Sequence, residues 1–186
     1  MNYLSVPQLR LAAAAVRQGE VLAYPTEAVW GLGCDPFNAG ACEKILALKR
    51  RSVHKGLILV AADISQVEFL LEGLSDAHLA KLRHSWPGPN TWLIPHHGRV
   101  PFWVSGRYNS VAIRVSAHPV VQALCRAAGG PLISTSANPQ GRTPARYAFQ
   151  VRRYFGAELV YVPGRVDRAA RPSVIRDLLS AEVIRE

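Results

Sequence analysis

At 186 residues, 49% of them hydrophobic, the chain can bury one substantial core, is cramped for two, and is not a disordered polymer. Lys and Arg outnumber Asp and Glu by 22 to 13, a formal charge of +9 that points to polyanionic partners: nucleic acid or phosphate-bearing small molecules. Cys34, Cys42 and Cys125 are widely spaced without a CxxC pair, which argues against a zinc knuckle or a disulfide framework. Reduced thiols in a cytoplasmic setting are expected. No apolar run reaches membrane-spanning length, and residues 11–16, between Arg10 and Arg17, are too short for a signal peptide, so no membrane is expected.

In chain order, Ser5 and Gln8 have the spacing of a capping box and open a helix to about Gln18, with Gly19 as its stop. Val21-Leu22-Ala23-Tyr24 reads as a buried strand ended by Pro25, which has no N–H for a ladder. Residues 26–33 then read as a polar loop bearing Thr26, Glu27, Trp30 and two glycines. Such strand-to-loop junctions hold ligands in α/β folds, and a plain tight turn is the equal alternative. Asn38 caps a helix to about Lys49, followed by a basic loop (49–56) and an apolar strand (57–61). Asp63 and Ser75 cap two further helices, the second ending near His84. Residues 86–91 form a rigid turn, Trp92-Leu93-Ile94 a strand, residues 101–109 a long loop that is a lid candidate, and residues 111–115 a strand with one charged member. Pro119 and Gly129-Gly130 bracket a helix. Leu132-Ile133 is a short strand entering the hydroxyl-rich residues 134–141. Thr143-Pro144 opens a last helix to about Phe155, closed by Gly156, and residues 159–162 and 173–176 are closing strands. Strands and helices interleave, so an α/β or α+β class with a mixed sheet is expected, as one domain over residues 1–186.

No P-loop is present, and Pro36 stands where a dinucleotide fingerprint needs its third glycine. His96-His97 would point apart on a strand, and no metal site is read there. Lys49, Arg51 and Lys55 fall within seven residues and suit a triphosphate, although a solvated helix end also attracts cations. Arg114 sits mid-strand and needs an anion: a ligand carboxylate or an internal acid. Ser134, Thr135, Ser136 and Asn138 are either a donor cluster for a ligand or a capped turn. Trp92 reads as core, whereas Trp30 is placed where it could stack on a base.

Pro25-Thr26-Glu27, Gly31-Leu32-Gly33, Lys49-x-Arg51, Lys55-Gly56-Leu57, Trp86-Pro87-Gly88-Pro89-x-Thr91, Ala112-Ile113-Arg114-Val115, Ser134-Thr135-Ser136-Ala137-Asn138 and Pro172-Ser173-Val174-Ile175 occur in the order of the YrdC/TsaC family, which the chain resembles from about residue 8 onward. The resemblance implies a twisted mixed sheet around a large basic concavity, and the short bacterial form of the family. It implies that L-threonine, bicarbonate and ATP, with Mg²⁺, give threonylcarbamoyl-AMP and pyrophosphate. A separate transferase complex then uses the product on the adenosine 3′ of the anticodon in tRNAs that read A-starting codons. By the same analogy Lys49 and Arg51 are catalytic and hold ATP with Lys55, Ser110, Ser136, Asn138, Thr143 and Arg185, while Thr26, Arg114, Ser134 and Ser173 hold threonine. Ala28, Trp30 and Gln140 depart from the family pattern and receive no role. The alternative reading is a structured-RNA-binding protein acting through the same basic cavity, and weak RNA binding is compatible with both readings.

Overall fold

The computed structural model describes residues 4–167, 169–170 and 173–185, so Pro172 of the last matching motif lies outside them. Ser5 and Gln8 close the expected capping box, and α1 (Val6–Arg17) follows. Strand β1 (Leu22–Pro25) then turns back at once into β2 (Trp30–Gly33), antiparallel to it with Tyr24 opposite Gly31. Residues 26–29 of the expected loop are the turn of a hairpin, and residues 30–33 are its second arm. Trp30 and Leu32 alternate inward with period two, a strand pattern that the interleaved glycines disguised. Trp30 is 4% exposed and packed in the core, which removes it as a base-stacking platform.

Helix α2 (Ala39–Lys49) is capped by Asn38 Oδ1 on the Ala41 N–H and ends where Arg50 turns left-handed at φ 52°. A 3-10 turn (Val53–Lys55) leads to β3 (Ile58–Ala61). Asp63 precedes a 3-10 helix (Ile64–Leu70) instead of capping an α-helix, and its carboxylate accepts from Ser65 Oγ. Then come α3 (Asp76–Ser85), β4 (Asn90–Pro95), α4 (Phe102–Ser105), β5 (Ser110–Val115), α5 (Pro119–Ala128), β6 (Leu132–Ser136), α6 (Ala148–Phe155), β7 (Val160–Tyr161), β8 (Val174–Asp177) and β9 (Val183–Arg185).

Three further expectations change. His96 and His97 lie in a turn beyond β4, where His96 pairs with the Tyr108 carbonyl at 3.0 Å. The lid candidate carries α4 and is pinned: Val104 O accepts from Leu57 N–H, His54 O from Arg107 N–H, and Pro36 O from Trp103 Nε1. Helix α6 starts at Ala148, and Thr143 precedes it with its carbonyl accepting from Tyr154 Oη.

The strands form one mixed sheet in the order β7-β1-β2-β6-β3-β5-β4-β8-β9. β3 and β5 run parallel with Val60 opposite Arg114, and β6 runs antiparallel to β3 with Ser134 opposite Ile58. One face carries the larger core, where Leu59, Ile113 and Ile133 meet Ile45 of α2, Leu82 of α3, Val104 of α4 and Val151 of α6. The other face carries a smaller core that joins Leu22, Tyr24, Val60 and Leu132 to α1 and α5. α1 and α5 leave part of this second face uncovered, and the site lies there.

Gly33 fixes the hairpin against β6. A Cβ there would overlap the Ile133 carbonyl and sit 2.7 Å from the ring of Tyr24, whose hydroxyl donates to that same carbonyl. Gly33→Ala is therefore expected to cost about 2–3 kcal/mol by overpacking and to lower Tm by roughly 5–10 °C. Gly130→Ala, which meets open space, should leave thermal unfolding unchanged. Equal Tm values for the two variants would refute the packing argument.

Candidate active site

Along β5 the pleat sends Val111, Ile113 and Val115 into the larger core and leaves Ser110, Ala112 and Arg114 on the other face. Beside Arg114 that face presents Val60 and Ile58 of β3, Ser134 and Ser136 of β6, and Gly31 of β2, which form the floor of a cavity of about 460 Å³. α2 packs across the opposite face, yet its last residue reaches past the end of β6 into this cavity. Lys49 and Arg114 therefore line one hollow. Arg51, Lys55 and Arg185 join them, against the carboxylate of Glu27. Thr26, Thr91, Ser116 and Ser173 supply hydroxyls around the walls.

Lys49 is 5% exposed and donates to the carbonyls of Ser136 and Asn138, which holds the ammonium at the rim of β6. Burial, with a smaller push from the Arg51 charge, brings its pKa down to about 8. Arg51 Nη2 donates to Lys55 O and Gly56 O and so folds the basic loop around its own guanidinium. Burial and then the Arg185 charge lower its pKa. Two buried polar atoms at this end, Arg51 Nε and Asn138 Oδ1, have no hydrogen-bond partner within the described protein. A donor and an acceptor left buried in a cavity wall are atoms that a polar ligand can satisfy.

At the other end Arg114 Nε donates to Gly88 O at 2.9 Å, and Nη2 pairs with Glu27 Oε1 at 2.8 Å. Ser116 Oγ donates to the same Glu27 oxygen at 2.7 Å. Of the two anions that the sequence left open for Arg114, the internal acid is therefore present, and Nη1 is the nitrogen that neither contact uses. Burial lowers the Arg114 pKa and Glu27 opposes the shift. Thr91 Oγ1 donates to Ser173 Oγ at 2.8 Å and orients that hydroxyl. Thr26 Oγ1 donates to Val29 O, which closes the hairpin turn.

The cavity thus gathers Thr26, Lys49, Arg51, Lys55, Arg114, Ser134, Ser136, Asn138, Ser173 and Arg185. Ser110, half-buried at the start of β5, and Thr143, exposed before α6, stand outside its lining. Sequence reasoning gave no role to Glu27, Ser116, Thr91 or Gln140, although all four line the cavity and the Gln140 N–H donates to Lys49 O. The hydroxyl-and-acid pattern of Thr26-Glu27 was visible, but the partnership of Glu27 with residue 114 is made by folding alone.

A mixed α/β sheet that offers several fixed cations and a row of hydroxyls from one concave face defines a binding protein for small anionic substrates. The family model Sua5_yciO_yrdC, described as telomere recombination, matches residues 14–186, and the chain belongs to that family. The threonylcarbamoyl-AMP synthase of Saccharophagus degradans is 57% identical over 185 residues, covering 99% of this chain and 97% of its own length. That of Pseudomonas aeruginosa strain PAO1 is 57% identical over 175 residues, 94% of each chain. Among solved structures, P. abyssi Sua5 complexed with L-threonine superposes with a TM-score of 0.82 at 30% identity. The alignment covers 91% of this chain, which spans 50% of that longer one.

Proposed function

We propose that the chain is a threonylcarbamoyl-AMP synthase that joins L-threonine, bicarbonate and ATP. Threonine's ammonium and bicarbonate give the carbamate, water and a proton. A carbamate oxygen then attacks the α-phosphorus, the bond to the β-phosphate oxygen breaks, and pyrophosphate leaves. Carbamate and triphosphate repel each other and the carbamate is short-lived in water, so the protein's task is to hold two anions together in a dry hollow. No nucleophilic side chain is needed.

In this reading Lys49 and Arg51 face the reacting phosphate, with Lys55 and Arg185 on the rest of the triphosphate. ATP enters as its Mg²⁺ complex, the metal riding on the phosphates as part of the substrate. Ser136 and Asn138 hold the nucleotide, the latter through its unpartnered Oδ1. Ser110 and Thr143 outside the cavity lining are the weakest members of the set. Arg114 takes the threonine carboxylate through Nη1, with Thr26, Ser134 and Ser173 around the amino acid. The adenylate passes to a tRNA threonylcarbamoyltransferase complex for the adenosine 3′ of the anticodon, which places the enzyme in the cytoplasm.

The observation that carries this reading is the meeting of Lys49 and Arg114 in one cavity from opposite faces of the sheet. A volume of about 460 Å³ suits small substrates. The test is pyrophosphate release from ATP by the purified protein. Release that requires both threonine and bicarbonate is expected; release that ignores either one overturns the assignment.

A further inference from the structure

Among its described residues the cavity is lined by five cationic side chains, Lys49, Arg51, Lys55, Arg114 and Arg185, and by one carboxylate, that of Glu27. The acid is anchored at both its side chain and its backbone. Oε1 accepts from Arg114 Nη2 at 2.8 Å and from Ser116 Oγ at 2.7 Å. The Glu27 carbonyl accepts from the Asp167 N–H at 2.8 Å, and the N–H and hydroxyl of Thr26 both donate to Val29 O and close the turn that carries it. Both side-chain contacts fall on the same oxygen. No hydrogen bond or ion pair from a described residue reaches Oε2, and the side chain keeps 20% of its surface exposed. The pair thus offers one unused acceptor, Glu27 Oε2, and one unused donor, Arg114 Nη1.

An α-amino acid carries the complementary charges, an ammonium on the carbon next to its carboxylate. An ammonium that enters this hollow is repelled by each of the cations, and a charge taken out of water needs a partner of opposite sign. An ionised carboxylate accepts at both oxygens, so Oε1 can stay on its supports while Oε2 serves a ligand. We propose that Glu27 is a catalytic residue that holds the ammonium of threonine on Oε2 and takes the proton released when the carbamate forms. The inference rests on the synthase reading and supplies the base for its first step. Oε2 takes a proton from the ammonium, and the lone pair of the neutral amine forms a bond to the bicarbonate carbon. The C–OH bond breaks, and the departing hydroxide takes a second proton from the nitrogen and leaves as water. The carbamate anion remains in the cavity. The proton on Glu27 passes to solvent at the exposed edge of the side chain, which restores the carboxylate for the next turnover.

The test is Glu27→Gln in the full chain, which keeps an oxygen for Arg114 Nη2 and Ser116 Oγ and replaces the second oxygen with an amide donor. The probe that separates ammonium binding from carboxylate binding is (R)-3-hydroxybutanoate, which is threonine without its amino group. Ligand-observed NMR follows both compounds even where binding is weak. The variant should bind threonine about tenfold or more weakly, the loss of one charge-assisted contact. Its affinity for (R)-3-hydroxybutanoate should be unchanged. With all three substrates saturating, it should release pyrophosphate about 10²-fold more slowly, the low end for a lost general base. The unmodified protein supplies a comparison that depends on no variant folding: it should bind (R)-3-hydroxybutanoate more weakly than threonine. Equal affinity there overturns the proposal, and so does near-normal turnover by Glu27→Gln. Equal loss of both ligands in the variant also overturns it and leaves Glu27 as a support for Arg114 alone. Failure of the synthase reading shows itself separately, as an unmodified protein whose pyrophosphate release ignores threonine or bicarbonate.

Discussion

Replacing Lys49 with alanine is expected to reduce threonine- and bicarbonate-dependent pyrophosphate release by about 10²–10³-fold, the usual loss when one preorganised donor to a developing oxyanion is removed. The fold should survive, because the change empties one position at the end of α2 and leaves two rim carbonyls without a donor, a cost of about 1–2 kcal/mol. The charge of this group also sets a pH profile. Burial holds the ammonium down to about 8, and only the protonated form attracts phosphate. KM for ATP should therefore be flat below about pH 8 and rise above it. A bound triphosphate favours the charged form, so the break in kcat should lie at higher pH than the break in kcat/KM. Lys49→Arg should abolish the break, since a guanidinium stays charged throughout. Stability runs the other way. The folded pKa lies below the ordinary lysine value of about 10.5, so the unfolded chain holds the proton more tightly between about 8 and 10.5. The contribution of Lys49 to stability is thus fully favourable above that window and is lost as pH falls through it. A KM for ATP that stays flat from pH 7 to 10 in the unmodified protein would remove Lys49 from the phosphate site.

Much of the helical framework was legible before folding, because helix ends carry strong local signals. The Ser5–Gln8 box, the Asn38 cap, the Ser75 cap and the Pro119-to-Gly129 helix all form where their side chains require. Local signals failed where tertiary pairing decides. β2 was read as loop because two glycines broke an apolar pattern, yet Gly33 is small for close approach to β6, not for a turn. β9, the strand that carries Arg185 to the cavity, is an exposed three-residue strand defined only by its ladder to β8. The lid candidate rested on loop length, and the anchors that pin it, at His54, Leu57 and Pro36, are remote in sequence. In the site, Arg114 stands out in the sequence as a charge in mid-strand, whereas Lys49 reads as one of three cations that a solvated helix end would also attract. That α2 reaches around the end of β6 to bring them together is a property of packing.

Arg114→Ala is expected to raise KM for threonine by about 10²-fold or more, since loss of a charge-assisted carboxylate contact in a partly buried site is worth about 3 kcal/mol. KM for ATP should change little, because Lys49, Arg51 and Lys55 hold the other end of the cavity. The sequence left two anions open for this guanidinium: the internal acid is the one observed, on Nη2, and Nη1 is the nitrogen proposed for the threonine carboxylate. The internal pair fixes the plane of the guanidinium, with Gly88 O on Nε and Ser116 Oγ on the Glu27 oxygen as outer supports. The side chains of Arg114 and Glu27 are 13% and 20% exposed, so Arg114→Ala also leaves a carboxylate short of its partner and should cost about 1–3 kcal/mol of stability. Adding Glu27→Ala to Arg114→Ala removes that stranded charge and should recover most of the lost Tm while threonine binding stays absent. Arg114→Lys should keep the charge and still bind threonine poorly, because an ammonium cannot hold Gly88 O, Glu27 and a substrate carboxylate in one plane. Calorimetric titration with threonine beside thermal unfolding separates these outcomes. Threonine affinity that returns together with Tm in the double variant would make Arg114 a structural residue and would place the amino-acid site elsewhere in the cavity.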